Sequence, residues 1–315
     1  MKSVRTLLPV VIALLCGCDD APPPPQTAPL PTALVKEGQE FLGENAYVHT
    51  AALCALGPRS SGSAAYAAQV AYLKELLEEA GWQVVVRDFE PLQGRKMQNV
   101  HAVYGAPEEV VRPLLISCHI DTKGQGAEAI LGADDGASGA AVMLELARVL
   151  AQQPERAARV ELVFFDGEES FGKHMTEEDG LYGSRYDVER RGEERLPTHM
   201  INLDMVGGAG KVIAVPVMDT SLGMFEHYQR AIAALGFSEE RWTLYPGSYL
   251  DDHRPFEEAG VETLNLIAHF SGSNWWHTVK DDMSRISPAS LSESGRMVLQ
   301  LVGQLLPAKE TEQPR

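Results

Sequence analysis

Five short stretches of the 315-residue chain carry imidazoles and carboxylates, three after apolar runs, one before a predicted helix and one in a loop. They are SCHIDTKG with His119 and Asp121, GADDGASGA with Asp134 and Asp135, and VFFDGEES with Asp166, Glu168 and Glu169. INLDMVGG supplies Asp204 and WWHTVKDD supplies His277. Imidazole combined with carboxylate suits Zn²⁺ and requires no thiolate. Any one of these residues alone reads as a helix cap or a solvated loop acid. Five such positions together are hard to obtain as unrelated caps. The adjacent pair Glu168-Glu169 adds reactivity: if one carboxylate binds a metal, its neighbour stays unligated a few ångströms away as a general base or acid.

Such residues need elements to bring them together, and the hydrophobic pattern supplies them. Apolar residues recur at helical spacing over 64–80, closed by Gly81. Residues 82–89 alternate like a strand, and 114–118 and 160–165 are short apolar runs of the kind buried in a parallel sheet. Further strands are predicted at 200–203, 212–215 and 263–267, and helices at 137–151, 221–235 and 289–306. Strands alternating with helices predict an α/β fold with a mixed, mostly parallel central sheet covered on both faces. In open α/β sheets the ligand site lies beyond the carboxyl ends of the strands. Three of the five stretches fall at those ends.

The motif set resembles the zinc aminopeptidase superfamily (a phosphorylase/hydrolase-like fold), which also contains the animal-type glutaminyl cyclases. The resemblance runs from about residue 57 to about residue 306. In the aminopeptidases an Asp bridges two zinc ions. Carried over, Asp135 is the bridge, His119 and Asp204 serve one ion, Glu169 and His277 the other, and Glu168 is the base. The cyclases hold a single zinc, implied here on Asp135, Glu169 and His277. There Glu168 shuttles a proton, hydrogen-bonded with Asp251 and Asp204. Cyclase-like features are DGEE at 166–169, LYGSR at 181–185, DDHRPF at 251–256, and Trp276 directly before His277. Asp251 stands where aminopeptidases usually carry Ser, and a carboxylate beside Glu168 can share its proton and raise one pKa. Trp276 and Tyr249 are implied as walls of the substrate pocket. GADDGASGA and INLDMVGG follow the aminopeptidase versions, and a Trp found in animal cyclases after the GEE segment is replaced by FGKHM. The cysteine that pairs with the one before the first His in animal cyclases is absent, Ala140 lying near that position. The expected activity is therefore cyclisation of N-terminal glutamine on peptides with one Zn²⁺. The alternatives are a di-zinc aminopeptidase and, as a third class, a peptide-binding lipoprotein with a decayed site. The third is disfavoured because base and ligands are all intact.

Composition bounds the rest. A net charge of −17 argues against nucleic acid, which demands a concentrated basic surface. Lys2 and Arg5 precede an apolar run too short to span a bilayer, the layout of an export signal. It closes on Leu-Cys-Gly-Cys, which resembles a bacterial lipobox with Cys18 as the lipidated residue. The sequence thus reads as a leader at 1–18, a Pro-rich tether at 19–32 and a catalytic domain at 33–310. Membrane contact is expected only through the lipid, on the periplasmic side of a bacterial cell envelope, with the domain a monomer. Cys54 and Cys118 are expected as buried thiols.

Overall fold

The computed structural model describes residues 40–307, apart from 106–109, 125, 127–128 and 177. The leader, the tether and Cys18 lie outside the described residues. The elements in order along the sequence are α1 (Gly43–Ala55), α2 (Ala64–Glu79), β1 (Trp82–Leu92), β2 (Arg95–Tyr104), β3 (Leu114–His119), α3 (Ala137–Ala151), α4 (Pro154–Ala157) and β4 (Val160–Phe165). They continue with α5 (Tyr182–Arg191), β5 (His199–Asp204), β6 (Ile213–Pro216), α6 (Leu222–Leu235), β7 (Trp242–Tyr245), α7 (His253–Glu258), β8 (Glu262–Ile267) and α8 (Pro288–Leu305).

Six strands form one sheet in the order β1-β2-β4-β3-β5-β8. β4, β3, β5 and β8 run parallel, whereas β2 is antiparallel to both β1 and β4. This is the expected mixed, mostly parallel sheet. β3 (LLISCH) and β4 (VELVFF) are buried along their whole length, which is why they read as continuous apolar runs. Their side chains still divide by period two. Leu114, Ile116, Leu162 and Phe164 join the large core with α1, α2, α3, α6 and α8, while Leu115, Val163 and Phe165 pack with Phe256 of α7.

α3 seats closely on the sheet. A Cβ at Gly139 would sit 2.8 Å from the Cys118 Cβ and 2.9 Å from the Leu203 carbonyl oxygen, so only glycine lets the helix start there. That approach brings the loop before α3 against the ends of β3 and β5.

The predicted strand at 212–215 forms, but as β6 in a separate two-stranded parallel sheet with β7. α1 and β2 were not foreseen. In α1 (GENAYVHTAALCA) the buried face includes Asn45, His49 and Thr50, so no apolar stripe marks it. β2 opens with Arg95 and Lys96 exposed and, apart from Met97, is continuously buried only from Asn99. Among the described residues no helix is long and apolar enough to cross a membrane. Cys54 and Cys118 are both buried free thiols, as expected.

Candidate metal centre and active site

The carboxyl ends of β3, β4 and β5 deliver His119, Glu168-Glu169 and Asp204, and the loop before α3 adds Asp135. The ligand atoms of His119, Asp135 and Asp204 lie within 4.8 Å of one another, as do those of Asp135, Glu169 and His277. Asp135 belongs to both groups. Its Oδ1 lies 3.2 Å from His119 Nε2 and its Oδ2 3.5 Å from His277 Nε2, the placement of a bridging carboxylate.

The two groups differ in how they are satisfied. His119 Nε2 hydrogen-bonds Asp204 Oδ1 at 3.1 Å. Asp135 Oδ2 and Glu169 Oε1 are buried and have no hydrogen-bond partner among the described residues, although His277 Nε2 is 3.2 Å from Glu169 Oε1. Buried carboxylate oxygens left unpaired are costly. These two oxygens and the His277 nitrogen converge on a common point, and two carboxylates with one imidazole form a donor set that fits Zn²⁺.

Two further carboxylates fix the ligand loops from behind. Asp121 accepts the backbone N–H groups of Glu168 (3.1 Å) and Glu169 (3.2 Å). Asp281 accepts those of Asp134 (2.8 Å) and Asp135 (3.0 Å). Burial, with the charges of Asp135 and Asp134, pushes the Asp281 carboxyl up to about 7. Gly136 follows Asp135 with φ 101°, and a Cβ there would be 2.9 Å from the Asp121 carbonyl oxygen. His277 itself adopts φ 55°, and its ring stacks on Trp276 at 3.8 Å. A non-glycine residue held in the left-handed region at a ligand position marks backbone strain retained by its surroundings.

Glu168 shares a cavity of about 280 Å³ with Asp135, Glu169, Asp204, Asp251 and His277, walled by Trp276, Tyr249 and Phe270. Burial raises the Glu168 carboxyl well above its ordinary value, and the Glu169, Asp251 and Asp252 charges add to the rise against the pull of His119. Asp204 is likewise raised by burial and by Asp135 and Asp251, against its bond to His119. Burial alone would lower His119, but its bonds to Asp121, Asp135 and Asp204 raise it well above the usual imidazole range.

Asp251 is held by the sheet. Its oxygens accept from Asn202 Nδ2 (3.0 Å), Asn265 Nδ2 (2.7 Å) and the N–H of Asp252 (2.6 Å). Ser117 donates to Asn202 Oδ1 at 2.7 Å, so β3, β5 and β8 each contribute one polar side chain to this ladder. Ser184 of the LYGSR segment donates to Asp252 Oδ1 at 2.6 Å and joins that motif to DDH. Tyr249 is positioned by its N–H to Asp219 (2.8 Å) and packs on Phe270.

The structure therefore gathers Asp135, Glu168, Glu169, Asp204, Asp251, Trp276, Tyr249 and His277 around one cavity, with His119 bonded to Asp204 beside it. Asp121, Asp134 and Asp166 do not reach it as metal ligands. Asp134 accepts the Gly207 N–H (2.7 Å), and Asp166 accepts from Ser61 (2.6 Å) and the Gln98 N–H (2.8 Å). Asp281, Asn202 and Asn265 were missed, as was Lys123, whose ammonium lies 3.4 Å from Glu169 Oε2. Asn202 had a signal: two residues before Asp204 on one strand, it shares that residue's face.

An α/β sheet with a carboxylate–imidazole centre at its strand ends has the donor set and placement of a metal-dependent enzyme. Peptidase family M28 matches residues 99–302, and the protein belongs to that family. It is 28% identical over 282 residues to a glutaminyl-peptide cyclotransferase of Boiga irregularis, an alignment that spans 76% of this sequence and 75% of that one. Among solved structures it is similar to Porphyromonas gingivalis glutaminyl cyclase, with TM-score 0.75, 28% identity and coverage of 84% and 98%. It is also similar to a leucine aminopeptidase precursor of Bacteroides thetaiotaomicron, with TM-score 0.73, 25% identity and coverage of 84% and 97%.

Proposed function

We propose that this protein converts the N-terminal glutamine of peptides to pyroglutamate with release of ammonia, using one Zn²⁺. The observation that carries this reading is Asp251, fixed by three donors in the cavity that holds Glu168. A second carboxyl group beside a buried carboxyl favours keeping a proton on the pair, which suits Glu168 to carry a proton between two nitrogens. Zn²⁺ on Asp135, Glu169 and His277 would supply Lewis acidity toward the γ-carbonyl of the substrate glutamine. Glu168 takes a proton from the α-amine as its nitrogen bonds to the side-chain carbonyl carbon Cδ, and returns it to the departing ammonia as the bond from Cδ to the amide nitrogen breaks. Asp204 and Asp251 share the proton load. Trp276 and Tyr249 wall the pocket against water, and a nucleophile tethered within the substrate gains its rate from positioning.

One ion on Asp135, Glu169 and His277 is favoured because the buried oxygens without a hydrogen-bond partner, Asp135 Oδ2 and Glu169 Oε1, belong to that group. The two groups sharing Asp135 favour a second reading, a di-zinc aminopeptidase. Mass spectrometry of one Gln-initiated and one Leu-initiated peptide separates them. Ammonia loss from the first with the second untouched is expected; shortening of either peptide overturns the cyclase reading. Metal content of one ion per protein molecule is the parallel expectation.

The surrounding proposal is that residues 1–18 are a leader, Cys18 carries lipid, and 19–32 tether a monomeric catalytic domain at 33–310 on the periplasmic side of a bacterial envelope. The lipobox resemblance and the Pro-rich stretch support it. Cys18→Ser should move the protein from the membrane fraction to the soluble fraction, and unchanged membrane retention would overturn the anchor.

A further inference from the structure

The sequence has 44 acidic residues against 27 Lys and Arg, yet the surface leading to the metal centre is cationic. A groove of about 700 Å³ shares Glu169, Trp276 and His277 with the centre and is lined by Lys123, Lys173, His174 and Arg95. Among the described residues its acidic side chains, Glu169 and Asp121, are already engaged. Glu169 is a candidate ligand, and Asp121 accepts two backbone N–H groups.

The cations are presented on ordered supports. The Arg95 guanidinium lies 3.8 Å over the Phe171 ring, a cation–π contact that holds it at the groove wall. The loop bearing Lys173 and His174 is clamped at its start by Asp179, which accepts the N–H groups of Phe171 (2.9 Å) and Gly172 (2.7 Å). Asp179 also accepts from Tyr182 Oη at 3.0 Å, so its carboxylate is spent within its own loop. Arg95 and Lys173 pair with no carboxylate among the described residues. A protein of net charge −17 repels anions at long range. Cations concentrated beside its reactive centre therefore have recognition value.

We propose that this groove is a subsite for acidic side chains downstream of the substrate's N-terminal residue, so that Gln-initiated peptides with Asp or Glu in the following positions are preferred. This rests on the cyclase reading for the identity of the first residue. The chemistry recognised is a carboxylate, and a side-chain carboxylate rather than the peptide C-terminus is assigned because the groove flanks the entry to a centre that takes the N-terminus.

The test uses the full-length zinc-loaded protein and the amidated peptides Gln-Ala-Glu-Glu, Gln-Ala-Gln-Gln and Gln-Ala-Lys-Lys. The Glu peptide should show kcat/KM for ammonia release about ten-fold above the neutral one, the scale of two or three partly exposed ion pairs, and the advantage should shrink with salt. Arg95→Glu combined with Lys173→Glu should reverse the order in favour of the Lys peptide, a result that misfolding does not produce. Equal kcat/KM for all three overturns the subsite. So does an advantage that appears only when Gln-Ala-Gln-Gln carries a free C-terminal carboxylate. Shortening of the neutral peptide in place of ammonia loss means that the cyclase reading has failed. The groove is then scored by the calorimetric affinities of the same three peptides, where the same order supports it and equal affinities overturn it.

Discussion

Glu168 and Glu169 are neighbours in sequence with opposite assignments, and each assignment has its own readout. Both amides are fixed by Asp121, so the two side chains leave one anchored turn. Glu169 Oε1 faces His277 Nε2, and Glu168 lies in the same cavity with the Asp251 and Asp252 charges acting on it. Glu168→Gln should lower kcat by about 10²–10⁴-fold, the usual contribution of a positioned acid–base group, with bound zinc unchanged. Glu169→Gln should instead lose metal, measured by elemental analysis after dialysis. Zinc lost from the first variant and kept by the second would reverse the two roles. These residue types were legible because each sits where an apolar run stops, and strand ends are where an α/β sheet exposes chemistry. Asp281 and Lys123 were not legible as site residues. Asp281 acts on an amide 147 residues away, a contact that no local pattern encodes.

The sheet acts as a ruler for the site. In β5 and β8 the register pairs Asn202 with Asn265, and those two amides hold Asp251 from the face opposite the large core. Period-two alternation puts Asn202 on the face of Asp204, but the cross-strand pairing that makes it useful depends on strand order, which the sequence leaves open. Asn202→Ala should cost about 1–3 kcal/mol in urea unfolding, because it leaves an Asp251 oxygen buried with one donor fewer. A cost near zero would mean that Asp251 is held by Asn265 and Asp252 alone. The loops answer to the same logic. Asp281→Asn can no longer accept two N–H groups symmetrically, so the Asp134–Asp135 turn should loosen and zinc affinity fall by about 10–100-fold, read by chelator competition. Unchanged affinity with lowered stability would assign Asp281 to folding alone. β2 escaped sequence reading because its exposed first half carries Arg95 and Lys96, and that half borders the cationic groove.

At the scale of the whole molecule, the active centre is a store of buried charge whose cost depends on pH and on metal. Burial raises Glu168 and Asp204 well above the carboxylate range, takes Asp252, with the Asp251 charge, to about 8 and Asp281 to about 7, and His119 and His277 are raised by their carboxylate partners against the effect of burial. A carboxyl whose folded pKa is raised binds its proton more tightly in the folded state. Its contribution is full below the unfolded value of about 4 and is lost as pH climbs through the folded value. A raised histidine has the same sign, full below about 6.5 and lost above its folded pKa. The metal-free protein should therefore lose stability steadily from about pH 5 to about pH 8, the window set by Asp281 and Asp252. A bound divalent cation prefers ionised carboxylates and neutral imidazole, so it opposes that loss most where the loss is greatest. The gap in Tm between zinc-loaded and chelator-treated protein should widen across this window in thermal denaturation at fixed zinc. A gap that stays constant or narrows would mean that the clustered acids are discharged by some means other than the metal, and the ligand assignment of Asp135, Glu169 and His277 would lose its energetic basis.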